Sequence, residues 1–356
     1  MNGHRRRTRT RTWIAFTMGV VGLGLLLSGS VERSAAQPAW RETDCPPTES
    51  GAYCTLTAPG HAVESIAWFP DGQRLASAGR DGAIRIWDVT QSSLVRTLTS
   101  PAPLVLSVDV NPDGSRLASG DRDHRVRVWR VEDGQVLHTF EGHTDMVRTV
   151  RFHPDGGLLA SGACAATSRD DRLHLWNTEI GFRQGLFQGT EDCVRTIRFH
   201  ADGSRIVTGG DDAVIRLWSL SGRLLRTFGG HEDSVRALAW HPDGDLLASG
   251  GLDDKIHLWN LISGERMGTL VPSNTWAWTR SLDFSPDGTL LASGSMDDRV
   301  RLWDVASGAL IDALVAHQSS VSSLAFGPAD TGLLASGAND ETVRIWNVTD
   351  LGLGDQ

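Results

Sequence analysis

Lysine is almost absent from these 356 residues: Lys255 stands alone, and the rest of the 34 basic side chains are arginines. Tyrosine is equally scarce, with Tyr53 the single copy, although the chain holds 13 tryptophans and 39 glycines. Acidic residues number 43, so the formal net charge is −9. A nucleic-acid binder presents a broad basic surface to the phosphates, and this balance disfavours that class. A Gly-rich phosphate loop, paired cysteines at zinc spacing and a nucleophile elbow are also missing. No cofactor, metal site or catalytic residue is therefore expected. What is abundant, Trp and Gly against one Tyr, calls first for a search for internal repeats.

The N-terminus follows different rules from the rest. Arg5, Arg6, Arg7, Arg9 and Arg11 form a basic block, and residues from Trp13 to Leu27 carry no charge. Ser34-Ala35-Ala36 then offers small residues for cleavage before Gln37. That order reads as a secretory signal over residues 1–36, with delivery to a periplasmic or extracellular destination. The alternative is an uncleaved membrane anchor, since the uncharged stretch reaches Val31 and spans 19 residues. Gly19, Gly22 and Gly24 dilute it. Cleavage would remove six arginines and one glutamate, leaving 28 basic and 42 acidic residues, a formal −14.

Downstream, an apolar-Arg/His-apolar-Trp run recurs and ends at Trp87, Trp129, Trp176, Trp218, Trp259, Trp303 and Trp346, with spacings of 42, 47, 42, 41, 44 and 43 residues. Each is preceded by a strand-like run such as RLASA or RIVTG, and six copies have an Asp-Gly turn before that, from Asp71-Gly72 to Asp287-Gly288. Short alternating runs around such turns are hairpins. Four short strands per unit of this length are the mark of propeller blades. With Trp87-Asp88 and Trp303-Asp304, the sequence resembles the WD-repeat family, and the regularity of its copies is similar to prokaryotic members. The resemblance implies an all-β, seven-bladed propeller of four-stranded antiparallel blades over residues 52–349, between a tail at 37–51 and another at 350–356. The seventh copy ends without a fourth strand. Ala52–Thr57 matches that strand and is expected to complete blade 7 and close the ring.

In this family a Trp, a Ser/Thr, an Asp and a His form a hydrogen-bonded chain inside a blade. At the family's offsets the set is complete in three copies: His143, Ser161, Asp170 and Trp176; His231, Ser249, Asp253 and Trp259; and His317, Ser336, Asp340 and Trp346. In blade 1, Pro59 occupies the His position and His61 is shifted by two. Because Ser and Asp recur in every blade, buried-polar satisfaction explains them better than a hydrolytic triad. The Arg two before several of the tryptophans is expected to pack between blades.

Function should then sit on the face where the loops meet the channel. The position five after the His holds Glu64, Leu106, Arg148, Arg195, Arg236, Arg280 and Ser322. The position before the structural Asp adds Arg80, Arg122 and Arg169, and the three-after position adds Met146, Cys193 and Trp278, with Trp276 nearby. An arginine arc of this kind suits an acidic segment of a protein partner. The alternative ligand is an acidic small molecule or glycan. Against both stands simple pairing with Asp145, Glu191, Asp192, Glu232 and Asp233. The expected protein is a non-catalytic interaction scaffold, a monomeric ring touching a membrane only if its anchor is retained. Cys164 and Cys193 fall in loops of adjacent blades and are candidates for one disulfide, Cys45 and Cys54 for another.

Overall fold

The computed structural model describes residues 54–58, 60–164, 173–187, 193–272, 277–329 and 331–349. The expected signal, both tails, Pro59, Arg169, Asp170 and Trp276 lie outside the described residues. Twenty-eight strands form seven antiparallel sheets of four, and six of these sheets use four consecutive strands. The molecule is a seven-bladed propeller. Blade 1 shows the pattern: inner strand Val63–Trp68, then Arg74–Gly79, Ala83–Asp88 and the outer strand Ser93–Thr99.

The sequence of each strand follows from its place in the blade. Second strands are packed on both faces by neighbouring blades, so they lack polar alternation; five of the six residues of Arg74–Gly79 are buried. Outer strands meet water, and most keep a single anchor such as Leu98 buried. Between them, each Asp-Gly turn is held by its own carboxylate: Asp71 Oδ1 accepts the N–H groups of Gln73 and Arg74, both at 3.0 Å. Gly72 follows at φ 66°, a conformation that favours glycine.

The hydrophobic core is a set of layers between blades. In one, Leu173, Leu175 and Phe187 of blade 3 meet Val194, Ile197 and Trp218 of blade 4. The closing interface is built the same way, with Leu56, Val343 and Ile345 against Val63, Ile66 and Leu75. Here Cys54–Thr57 pairs antiparallel with Thr342–Asn347, Leu56 opposite Val343. Inner strands are stitched laterally by hydroxyls: Ser65 Oγ accepts Val108 N–H at 3.1 Å, and across the closure Ser323 Oγ accepts Ile66 N–H at 3.2 Å. A second device is close approach. A Cβ on Gly337 would come within 2.6 Å of Val63 Cγ1 and 2.9 Å of Ile66 Cγ2.

Two substitutions at the closure test this account by thermal unfolding. Leu56→Ala should cost about 2–5 kcal/mol, as for other buried large-to-small changes. Gly337→Ala should cost about 1–3 kcal/mol through overpacking. Unchanged melting temperatures for both would mean that this interface does not hold the ring.

Candidate functional site at the channel mouth

Each inner strand carries a register irregularity after its first residue, so that pairing skips from Val63 to Ser65, Val105 to Ser107, Val147 to Thr149, Val194 to Thr196, Val235 to Ala237, Thr279 to Ser281 and Val321 to Ser323. The skipped residues are Glu64, Leu106, Arg148, Arg195, Arg236, Arg280 and Ser322. A bulge frees one residue from the ladder and re-aims its side chain. Here all seven point to one place, a cavity of about 320 Å3 that they line together with Leu252, Trp278 and Met296. Four of the seven are arginines on consecutive blades.

Two carboxylates organise them. Asp211 holds Arg195 through two bonds, Nε at 2.8 Å and a terminal nitrogen at 2.6 Å, while Arg236 lies 3.6 Å from the same carboxylate. Ser234 Oγ also donates to Asp211, at 2.5 Å. Glu64 takes Arg280 at 3.2 Å on one side and Arg80 at 2.6 Å on the other. Arg148 differs from its neighbours. Its Nε donates to the Cys164 carbonyl at 3.1 Å and a terminal nitrogen lies 3.9 Å from Met146 Sδ; among the described residues no carboxylate pairs with it. Burial, followed by the nearby charge of Arg195, lowers the affinity of Arg148 for its proton. The same two causes bring Arg236 down to about 10, and its buried Nε has no hydrogen-bond partner. Both remain cations at neutral pH.

Among the described residues, the acids adjacent in sequence have contacts elsewhere. Asp145 and Asp233 accept the N–H of the following residue, Met146 and Ser234, and Glu232 pairs with Lys255 at 2.6 Å. Glu191 and Asp192 lie outside the described residues. The residues missed as partners, Asp211, Leu252 and Met296, occupy the position before the structural Asp in blades 4 to 6, an offset that had singled out arginines alone. Arg122 is exposed.

The polar chains inside the blades are occupied. In every blade the indole N–H donates to the Ser or Thr hydroxyl, at 2.7–3.0 Å. His143, His231 and His317 place Nε2 at 2.7, 2.7 and 2.8 Å from the hydroxyls of Ser161, Ser249 and Ser336. Asp253 and Asp340 sit at 2.9 and 2.8 Å from the Nδ1 atoms of His231 and His317. Blade 1 corrects the offset-based expectation: His61 does reach Ser77 at 3.1 Å and Asp81 at 2.8 Å. A loop can vary in length and still deliver its ring to the same hydroxyl. The arginines before the tryptophans find their acids within the blade in several cases. Arg85 and Arg216 pair with Asp81 and Asp212 of their own blades at 2.7 and 2.5 Å, and Arg301 with Asp297.

Blade 2, which lacks the histidine, substitutes Asp121. It accepts from Ser100 at 2.8 Å and pairs with Arg127, which also bonds Asp123. Cys164 and Cys193 are joined by a disulfide, tying the blade 3 loop to blade 4, and both sulfurs lie beside Asp211 Oδ2, at 3.3 and 3.1 Å. Cys54 is also disulfide-bonded, and its expected partner Cys45 lies outside the described residues.

Burial raises the Asp121 carboxyl to about 6 despite the Ser100 hydrogen bond and the charge of Arg127. A carboxyl raised on folding holds its proton in the native state after the unfolded chain has lost it. Its contribution to stability is therefore greatest below about pH 4 and declines as pH rises to about 6. Asp121→Asn should gain on the parent protein across that window, by up to about 3 kcal/mol. Denaturant unfolding at pH 4.5 and 7.5 measures the gap; a gap independent of pH contradicts the assignment.

The family model described as WD domain, G-beta repeat matches residues 52–88, 92–130, 134–177, 181–219, 222–260, 266–304 and 308–347. No curated protein matches the chain. Seven matched repeats on seven blades, each with its Trp–hydroxyl bond, place the chain in the WD-repeat family.

Proposed function

We propose that the protein is a non-catalytic scaffold that captures an acidic segment of a partner protein at the channel mouth. Propellers of this family generally serve as protein-interaction scaffolds. The observation that carries the finer reading is the bulge-aimed arginine group, in which two acids serve three mouth arginines and Arg80, leaving the fourth, Arg148, with no carboxylate among the described residues. Guanidinium groups held in place and partly desolvated favour carboxylates, which they can engage bidentately. Trp278 and Met296 add apolar contact beside them.

The absence of catalysis rests on occupancy of the Ser–His–Asp sets. Ser77, Ser161, Ser249 and Ser336 are fully buried, and each hydroxyl is shared between a histidine and an indole N–H. A nucleophile needs access to substrate, and these have none. Action outside the cytoplasm, in the periplasm or beyond the cell, is supported by the Cys164–Cys193 disulfide, since such bonds persist in oxidising compartments. The second reading, a receptor for an acidic small molecule or glycan, draws on the cavity itself, whose volume of about 320 Å3 suits a small ligand beside Trp278.

A fluorescently labelled peptide with an internal Asp/Glu run should bind the protein, and added salt should weaken it. The double variant Arg148→Glu/Arg236→Glu should lower that affinity by about tenfold or more with an unchanged melting temperature. Equal binding by the variant would remove the mouth from consideration. A thermal-shift panel of small dicarboxylates and acidic sugars separates the second reading: stabilisation by these, without peptide binding, favours it.

A further inference from the structure

Below the mouth lies a second tier of charge. Three residues beyond Arg148 and Arg195 on the same inner strands, Val147–Phe152 and Val194–Phe199, are Arg151 and Arg198. Asp109 and Asp283 occupy the equivalent positions on blades 2 and 6, while blades 1, 5 and 7 have Ala67, Ala239 and Ala325 there. All four residues are only partly buried, yet burial is the leading influence on the proton affinity of Asp109, Arg198 and Asp283. That combination marks the wall of a narrow channel. Arg198 also interacts electrostatically with Asp109, two blades away in one direction, and with Asp283, two blades away in the other. Such groups meet across the channel.

The two signs are not treated alike. Each carboxylate accepts a main-chain N–H of the following blade: Asp109 from Phe152 at 2.7 Å, Asp283 from Phe326 at 2.8 Å. The arginines donate only to the carbonyl of the residue before them, Arg151 to Val150 at 2.7 Å and Arg198 to Ile197 at 3.0 Å. Among the described residues none of the four forms an ion pair, and most guanidinium donors stay free for a ligand. Burial, then the like charge of Arg151, depresses Arg198 to about 9. Blades 3 and 4 thus present arginines at two levels, separated by roughly 7–10 Å along the strand.

Resting on the mouth as a site for acidic segments, we propose that its ligand is the carboxyl-terminal end of an acidic chain. The terminal carboxylate passes the mouth to Arg151 and Arg198, while a side-chain carboxylate further back stays with Arg148. A single glutamate side chain is too short to serve both tiers, whereas two or three extended residues span them. A chain end enters a channel walled by seven inner strands more readily than a loop, which must bring two strands. Asp109 and Asp283 repel the incoming carboxylate from blades 2 and 6 and leave it the blade 3–4 wall.

The test uses the full chain and three labelled eight-residue peptides with neutral Gly/Ser stems: one ending in Asp-Glu-Asp with a free carboxylate, the same peptide amidated, and one with the triplet internal and its end amidated. The free-ended peptide should bind about tenfold more tightly than the other two. Arg198→Gln and, separately, Arg151→Gln should erase that advantage and leave binding of the amidated peptides unchanged; Arg198→Lys should keep part of it. Equal affinity of all three peptides for the parent protein overturns the inference and leaves the acidic mouth intact, and that comparison needs no variant to fold. Equal loss for all three peptides in Arg198→Gln also overturns it. Failure of every peptide to bind defeats both readings.

Discussion

A tryptophan indole N–H cannot be buried between blades unless an acceptor is buried with it. In this protein a Ser or Thr hydroxyl ten residues upstream, fifteen in blade 3, meets that need in every blade. The bond ties the second strand to the third and fixes the large ring that fills the inter-blade layer. Everything beyond the hydroxyl is adjustable. Blades 1, 3, 5 and 7 extend the chain with histidine, whereas the blades without it hold acid–arginine pairs: Asp121 and Arg127 in blade 2, Asp212 and Arg216 in blade 4, and Asp297 and Arg301, with Ser295, in blade 6. The common requirement is that buried donors find acceptors; the residue types that meet it vary.

With the blade interiors committed in this way, the buried second strand serves as packing surface between blades. Function is left to the positions that the packing does not use. The bulge at the start of each inner strand creates one such position per blade, held rigidly by strand pairing on both sides of it. The scaffold therefore offers seven independently variable side chains converging on one cavity. This sequence fills them with four arginines, one glutamate, one leucine and one serine. The asymmetry is what supports reading the mouth as the proposed site: positive charge gathers on blades 3 to 6, and blade 7 contributes only Ser322.

Much of this was readable from residues alone. The period of the Trp runs yields the blade count, the missing fourth strand points to Ala52–Thr57, of which Cys54–Thr57 is the described strand, and a fixed offset finds all seven bulge residues without showing that they are bulges. What escaped were relations across the ring. Asp211 serves Arg195 on its own blade and Arg236 on the next, so no sequence neighbour betrays the pairing. His61 was misread because loop length was taken as fixed, although a ring needs only to reach its hydroxyl. The lower tier was invisible for a different reason: Arg151 and Arg198 sit in alternating strands where an arginine ordinarily faces solvent. Only closure of the ring converts that solvent into a channel.

The charge arrangement at the mouth also bears on how a chain with a net negative formal charge holds the proposed cationic site. Asp211 and Glu64 each draw in two arginines, which fixes guanidinium groups that would otherwise extend into water. Ordering costs side-chain entropy, and here it is met on folding rather than on binding. One carboxylate shared by two arginines compensates them only in part. Burial has already removed some of the water around Arg148 and Arg236, which weakens the hold of both on their protons. An incoming carboxylate therefore displaces less solvent and meets a charge whose environment is short of counterions. The internal acids prepare the site instead of filling it, so the acidic surroundings and the basic mouth are parts of one device.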